Sequence, residues 1–117
     1  MRLKDVMGCA FIGAVAGLFV ISGNETASGQ QRTTILLTLR NHQFEPAEPR
    51  APAGQSLTIV LKNLDSTPAE FESKTLRVEK VVIGGGQITI GIRPLAAGRY
   101  RFFDDFHEEA QGFLVVE

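Results

Sequence analysis

Polar and apolar residues alternate strictly through Gln87-Ile88-Thr89-Ile90-Gly91-Ile92, and Ser56-Leu57-Thr58-Ile59-Val60-Leu61 repeats the pattern. A period of two marks a strand with one face on a core. The β-branched and apolar run Thr33–Leu39, ending at Asn41, predicts an earlier strand. Ala69–Ser73 is extended, with Phe71 facing opposite to Glu70 and Glu72, so the two carboxylates share a face. Val78–Ile83, Arg99–Phe103 and Gly112–Val116 complete the predicted strands. The punctuation between them is turn chemistry: Ala53-Gly54-Gln55, Asn63–Pro68, a short helical turn at Ser73–Leu76, Gly84-Gly85-Gly86 and Pro94–Gly98. His42–Pro52 holds Pro46, Pro49 and Pro52, which cannot donate to a ladder, and predicts an edge excursion with Phe44 tucked inward.

Seven or eight short strands joined by Gly and Pro turns, with no sustained helical period, imply an all-β sandwich or barrel of Greek-key type. The sequence shows no internal repeat or low-complexity tract. The triple glycine opens a strand and lacks the Lys-Ser/Thr of a phosphate loop, so it reads as a β-turn.

The N-terminal pattern is of another kind. Met1-Arg2-Leu3-Lys4 is basic, Val6–Ile21 is apolar and uncharged, and Ser22–Gly29 is polar with small residues at Ala27 and Gly29. This predicts a secretory signal over residues 1–29, a mature domain over 30–117 and a periplasmic or secreted location. An uncleaved anchor is the rival, although the apolar run is slightly short for a spanning helix, which needs about 17–25 residues. The single cysteine, Cys9, would leave with the signal, excluding a disulfide framework and a thiolate metal site in the mature chain. What remains is one small domain. Its net charge of −1, with both signs interspersed, gives no nucleic-acid surface.

Candidate chemistry concentrates in Phe102-Phe103-Asp104-Asp105-Phe106-His107-Glu108-Glu109, expected to be a loop held between the last two strands. One of the two aspartates must point away from any site, because strand neighbours face opposite sides. Glu108 and Glu109 read as solvent-facing charges. His42 reads as a surface residue of the turn region. Glu70 and Glu72 have a structural alternative as partners of Lys74, Arg77 or Lys80 on a solvated face.

The Gly98-x-Tyr100-x-Phe102 strand, the polar segment with His107 and the final Gly112 strand resemble the end of a cupredoxin domain, and the resemblance covers nearly all of the mature chain. It implies a Greek-key cupredoxin-like β-sandwich. Asp104 stands where that family has its cysteine, His107 keeps the histidine place, Ala110 falls near the methionine, and Ala69 replaces the first histidine. Without thiolate and with one imidazole in place, a type 1 blue copper centre is not expected. Asn63…Asp65–Ser73…Glu79-Lys80 further resembles the cupredoxin-like domains of EfeO-type periplasmic iron-uptake systems. That resemblance implies a metal-binding protein, for iron or copper, serving a high-affinity iron permease and its periplasmic components. The ligands so implied are Glu70, Glu72, Asp104 and His107, with Asp105 and Glu79 as further candidates. Carboxylate in place of sulfur hardens such a site toward Fe(II)/Fe(III), Mn(II) or Cu(II). A ferroxidase oxidising Fe(II), or an interaction domain without metal, are the alternatives, and homodimerisation is left open.

Overall fold

The computed structural model describes residues 32–117, so the expected signal segment lies outside the described residues. Nine strands follow: β1 (Arg32–Arg40), β2 (Gln43–Glu45), β3 (Arg50–Ala51), β4 (Ser56–Asn63), β5 (Ala69–Ser73), β6 (Val78–Val82), β7 (Gln87–Ile92), β8 (Gly98–Asp104) and β9 (His107–Val116). They form two sheets, ordered β2-β1-β4-β7 and β3-β9-β8-β5-β6. The β1–β4 and β3–β9 pairs are parallel and the other pairs antiparallel. This is the expected Greek-key sandwich. The two strands added to the expected count are the short β2 and β3, which sit at sheet edges inside the proline-rich excursion.

Alternation decides which residues meet. From the first sheet Ile35, Leu37, Leu39, Leu57, Ile59, Leu61, Ile90 and Ile92 turn inward; from the second come Ala69, Phe71, Val82, Phe102, Ala110, Leu114 and Val116. Register keeps the inward sets opposite one another, as in Ile35↔Ile59 and Ile59↔Ile90. Phe44 reaches inward from β2, edge-on to Phe102 at 5.0 Å and to Phe71 at 6.2 Å between centroids. Phe71 and Phe102 stack at 5.3 Å. Each such aromatic pair contributes about 0.5–1.5 kcal/mol beyond its area.

Gly112 is required by a close approach. A Cβ there would lie 2.5 Å from the Ala47 carbonyl oxygen and 2.6 Å from Phe102, while the next amide, Phe113 N–H, donates to that same carbonyl at 2.9 Å.

The last two strands correct one expectation. The acidic segment is not a loop: β8 runs to Asp104, β9 begins at His107, and Asp105-Phe106 alone make the turn, with Asp104 paired to His107. Pairing starts at once beyond the turn, with Asp104 opposite His107, and resumes with Gln111 opposite Phe103, while Glu108–Ala110 bulge out of β9 with Glu108 and Glu109 exposed and Ala110 buried. Exposed charges gathered in a bulge leave the hairpin on either side of it intact. On β8 plain alternation turns Phe102 and Asp104 inward and sets Phe103 on the outer face under the Arg101 guanidinium, 4.4 Å from its ring centroid.

Candidate metal centre

The centre is assembled at one end of the sandwich from two hairpin turns. Asn41 and His42 are the two residues linking β1 to β2, with φ of 53° and 58°. Positive φ at both central positions is the mirror-image turn that matches strand twist, normally filled by Asn-Gly. A residue other than glycine held there costs about 1–3 kcal/mol. The compensation comes from Asp65, whose Oδ1 accepts the Asn41 N–H at 2.6 Å and whose Oδ2 accepts the His42 N–H at 3.0 Å. Hydrogen bonds to a charged acceptor contribute about 1.5–3 kcal/mol each, enough to offset the backbone. Burial opposes ionisation of Asp65. The two amide bonds and the nearby His42 and His107 imidazoles outweigh it and hold the carboxyl below its usual range.

From the β8–β9 hairpin come Asp104 and His107. Asp104 is fully buried, and its Oδ1 accepts two amides, Glu70 N–H and Phe106 N–H, each at 2.9 Å. Its Oδ2 remains for the His107 imidazole, whose Nδ1 lies 3.3 Å away. The rings of His42 and His107 stack with centroids 4.0 Å apart and an interplanar angle of 25°. One ligand-capable atom from each of His42, Asp104 and His107 lies within 4.8 Å of the others. Buried anchor and half-exposed imidazoles, 39 % and 34 % accessible at their side chains, make a site open to solvent on one side.

The implied ligands therefore fall into two groups. Asp104 and His107 come together with His42, which sequence reasoning had placed on the surface. Glu70, Glu72 and Glu79 form a second cluster, their carboxylates also within 4.8 Å. Glu70 and Glu72 alternate with the buried Ala69, Phe71 and Ser73, so they stand on the outer face of the sheet while Asp104 is on the inner face. The two groups touch only through the Glu70 amide on Asp104. Asp105 is exposed at the turn, its N–H donating to the Glu70 carbonyl at 2.8 Å. Partial burial and the charges of Glu79, Asp105 and Glu72, with a hydrogen bond to Glu79, raise the Glu70 carboxyl above its usual range. Glu72 also lies 3.4 Å from Lys74 Nζ, the ion pair that the structural alternative expected.

Ala69 and Ala110 are buried apolar positions. Where Ala69 offers no imidazole, His42 from the other sheet brings one beside His107. The signal for it lay in Asn41-His42, a polar pair that closes the first strand-like run and opens the proline-rich excursion. No cysteine or methionine occurs among the described residues, so the thiolate and thioether of a blue copper centre have no donors here. Two imidazoles and a carboxylate instead suit iron, copper, zinc or nickel in the divalent state.

Comparison with known proteins agrees with this architecture. Residues 11–116 match the family described as cupredoxin-like domain. A curated relative, an uncharacterised protein of Rickettsia prowazekii (strain Madrid E), is 37 % identical over 83 residues, covering 70 % of this chain and 66 % of that protein. Among solved structures, the metal-binding domain of the Streptococcus pneumoniae D39 Cu(I)-exporting P-type ATPase CopA superposes with a TM-score of 0.67 at 16 % identity, over 78 % of this chain and 92 % of that one. Auracyanin A, a blue copper protein from Chloroflexus aurantiacus, gives 0.63 at 17 % identity, over 74 % and 100 %. A purple cupredoxin from Nitrosopumilus maritimus gives 0.55 at 18 %, over 73 % and 99 %. At these identities the likeness to solved structures concerns the fold, and the family match over most of the sequence makes this chain a member of the cupredoxin-like domain family.

Proposed function

We propose that this protein binds iron or copper through His42, Asp104 and His107, as a cupredoxin-like domain whose centre uses carboxylate and imidazole in place of thiolate. The observation that carries the reading is the meeting of two imidazoles with a fully buried carboxylate, across two sheets, with donor atoms within 4.8 Å. Asp104 would anchor the ion through Oδ2, its other oxygen being committed to the backbone. Titration of tag-free protein with Cu(II) and Fe(II) salts should give saturable binding, weakened at least tenfold in His107→Ala and His42→Ala. Equal affinity in those variants would sink the assignment.

Glu70, Glu72 and Glu79 carry a second reading, favoured by their mutual approach: an all-oxygen set for a harder ion such as Fe(III) or Mn(II). In the same titration, a loss of binding confined to Glu70→Gln would locate the ion there.

The cellular setting we propose is export and service to a high-affinity iron-uptake permease, with Fe(II) oxidation as the enzymatic alternative. Its support is the basic start and apolar run of residues 1–29 and the resemblance of the Glu70-Phe71-Glu72 and Phe102–His107 segments to iron-uptake domains. Intact mass of the protein recovered from the cell envelope should begin near Gln30. A cytoplasmic, full-length product would defeat the export reading.

A further inference from the structure

We propose that Asp65 is a positioning residue for this centre: its carboxylate locks the Asn41-His42 turn in the left-handed conformation that stacks the His42 ring on His107. The inference rests on the metal reading above and adds to it the element that makes His42 available.

Three observations converge. The two Asp65 oxygens each take one turn amide, so both bonds act on the backbone that aims His42. The imidazole itself is not clamped: His42 Nδ1 lies 3.6 Å from Oδ2, beyond a hydrogen bond, which leaves the ring nitrogens to a ligand. Asp65 is in turn held from below. Its N–H donates to Asn63 Oδ1 at 3.0 Å, and its carbonyl accepts Gly85 N–H at 2.9 Å. Asn63 has no exposed surface, and its Nδ2 donates to the carbonyls of Thr67 at 2.8 Å and Ile83 at 3.2 Å. The chain of support thus runs from the buried amide of Asn63 at the end of β4, through Asp65, to the turn of the first sheet and the imidazole over the second. Partners that hydrogen-bond a ligating ring change metal affinity about 10–100-fold when altered, and Asp65, acting one step further out through the His42 backbone, belongs at the low end of that range.

Asp65→Asn keeps the shape but sets an amide NH2 against one of the two N–H donors. In the full protein, Cu(II) affinity should fall about tenfold, the low end for partners of ligating side chains. In the metal-free protein the His107 ring-proton resonances should move as the ring current of His42 is withdrawn. The proton–proton contact between the two imidazole rings should weaken with them, an effect that loss of the Asp65 charge alone would not produce. Unchanged affinity together with unchanged ring signals overturns the proposal. Should the variant not fold, amide exchange in the wild type decides: Asn41 and His42 N–H are expected to exchange slowly for a two-residue turn, and fast exchange overturns it. The metal reading fails separately, if wild type and His107→Ala take up Cu(II) equally, and the ring signals of Asp65→Asn then still report on positioning.

Discussion

Asp65 and Glu70 show how two carboxylates on one small sandwich acquire opposite responses to acid. Asp65 has a lowered carboxyl, so its contribution to stability is present above its ordinary value of 3.8 and is lost as pH falls through the depressed one. Acid therefore loosens the His42 turn late. Glu70 is raised, so the stability linked to it is full below its ordinary value of 4.5 and is lost as pH rises through the raised one. Neutral pH is where the Glu70, Glu72 and Glu79 cluster repels itself. Glu70→Gln should consequently raise the melting temperature at about pH 7 and give no gain at about pH 4. Thermal melts at the two pH values check this, and a gain of equal size at both would show that repulsion is not its source.

The strands themselves were largely legible before the structure. Ala69–Ser73 and Gln87–Ile92 have the expected bounds, because their apolar residues alternate without interruption and fixed turns close them. Two hairpins were not legible, for different reasons. The β8–β9 hairpin was hidden because the first half of β9, His107 to Gln111, puts charge and amide on its exposed positions, and local polarity resembles a loop when the pairing partner is out of sight. The β1–β2 hairpin was hidden because Asn-His is an unusual pair for a turn with two positive φ values. Its stability comes from a carboxylate more than twenty residues away in sequence. The same distinction governs the site. Asp104 and His107 are close in sequence and could be found together, whereas His42 meets them only through tertiary packing. Glu70 and Glu72 looked equivalent to Asp104 because alternation sets them opposite Phe71 but does not say that Asp104 lies on the Phe71 side, which only the pairing of β5 with β8 decides.

In the molecule as a whole, the centre draws one imidazole from each sheet, His42 from the sheet of β1 and His107 from that of β9. Ligation requires neutral imidazoles and an ionised carboxylate, so a bound ion should raise the melting temperature at neutral pH, with the rise shrinking as pH falls through the range where imidazoles take up protons. At a free-ion concentration of about a hundred times Kd the gain is about 2.7 kcal/mol. The placement matters as much as the size. An ion held between the β1–β2 and β8–β9 turns would close a ring of chain that contains β2 to β8, and so would act as a removable clasp on that end of the two layers. For an ion bound there, opening that end and releasing the ion would be a single event.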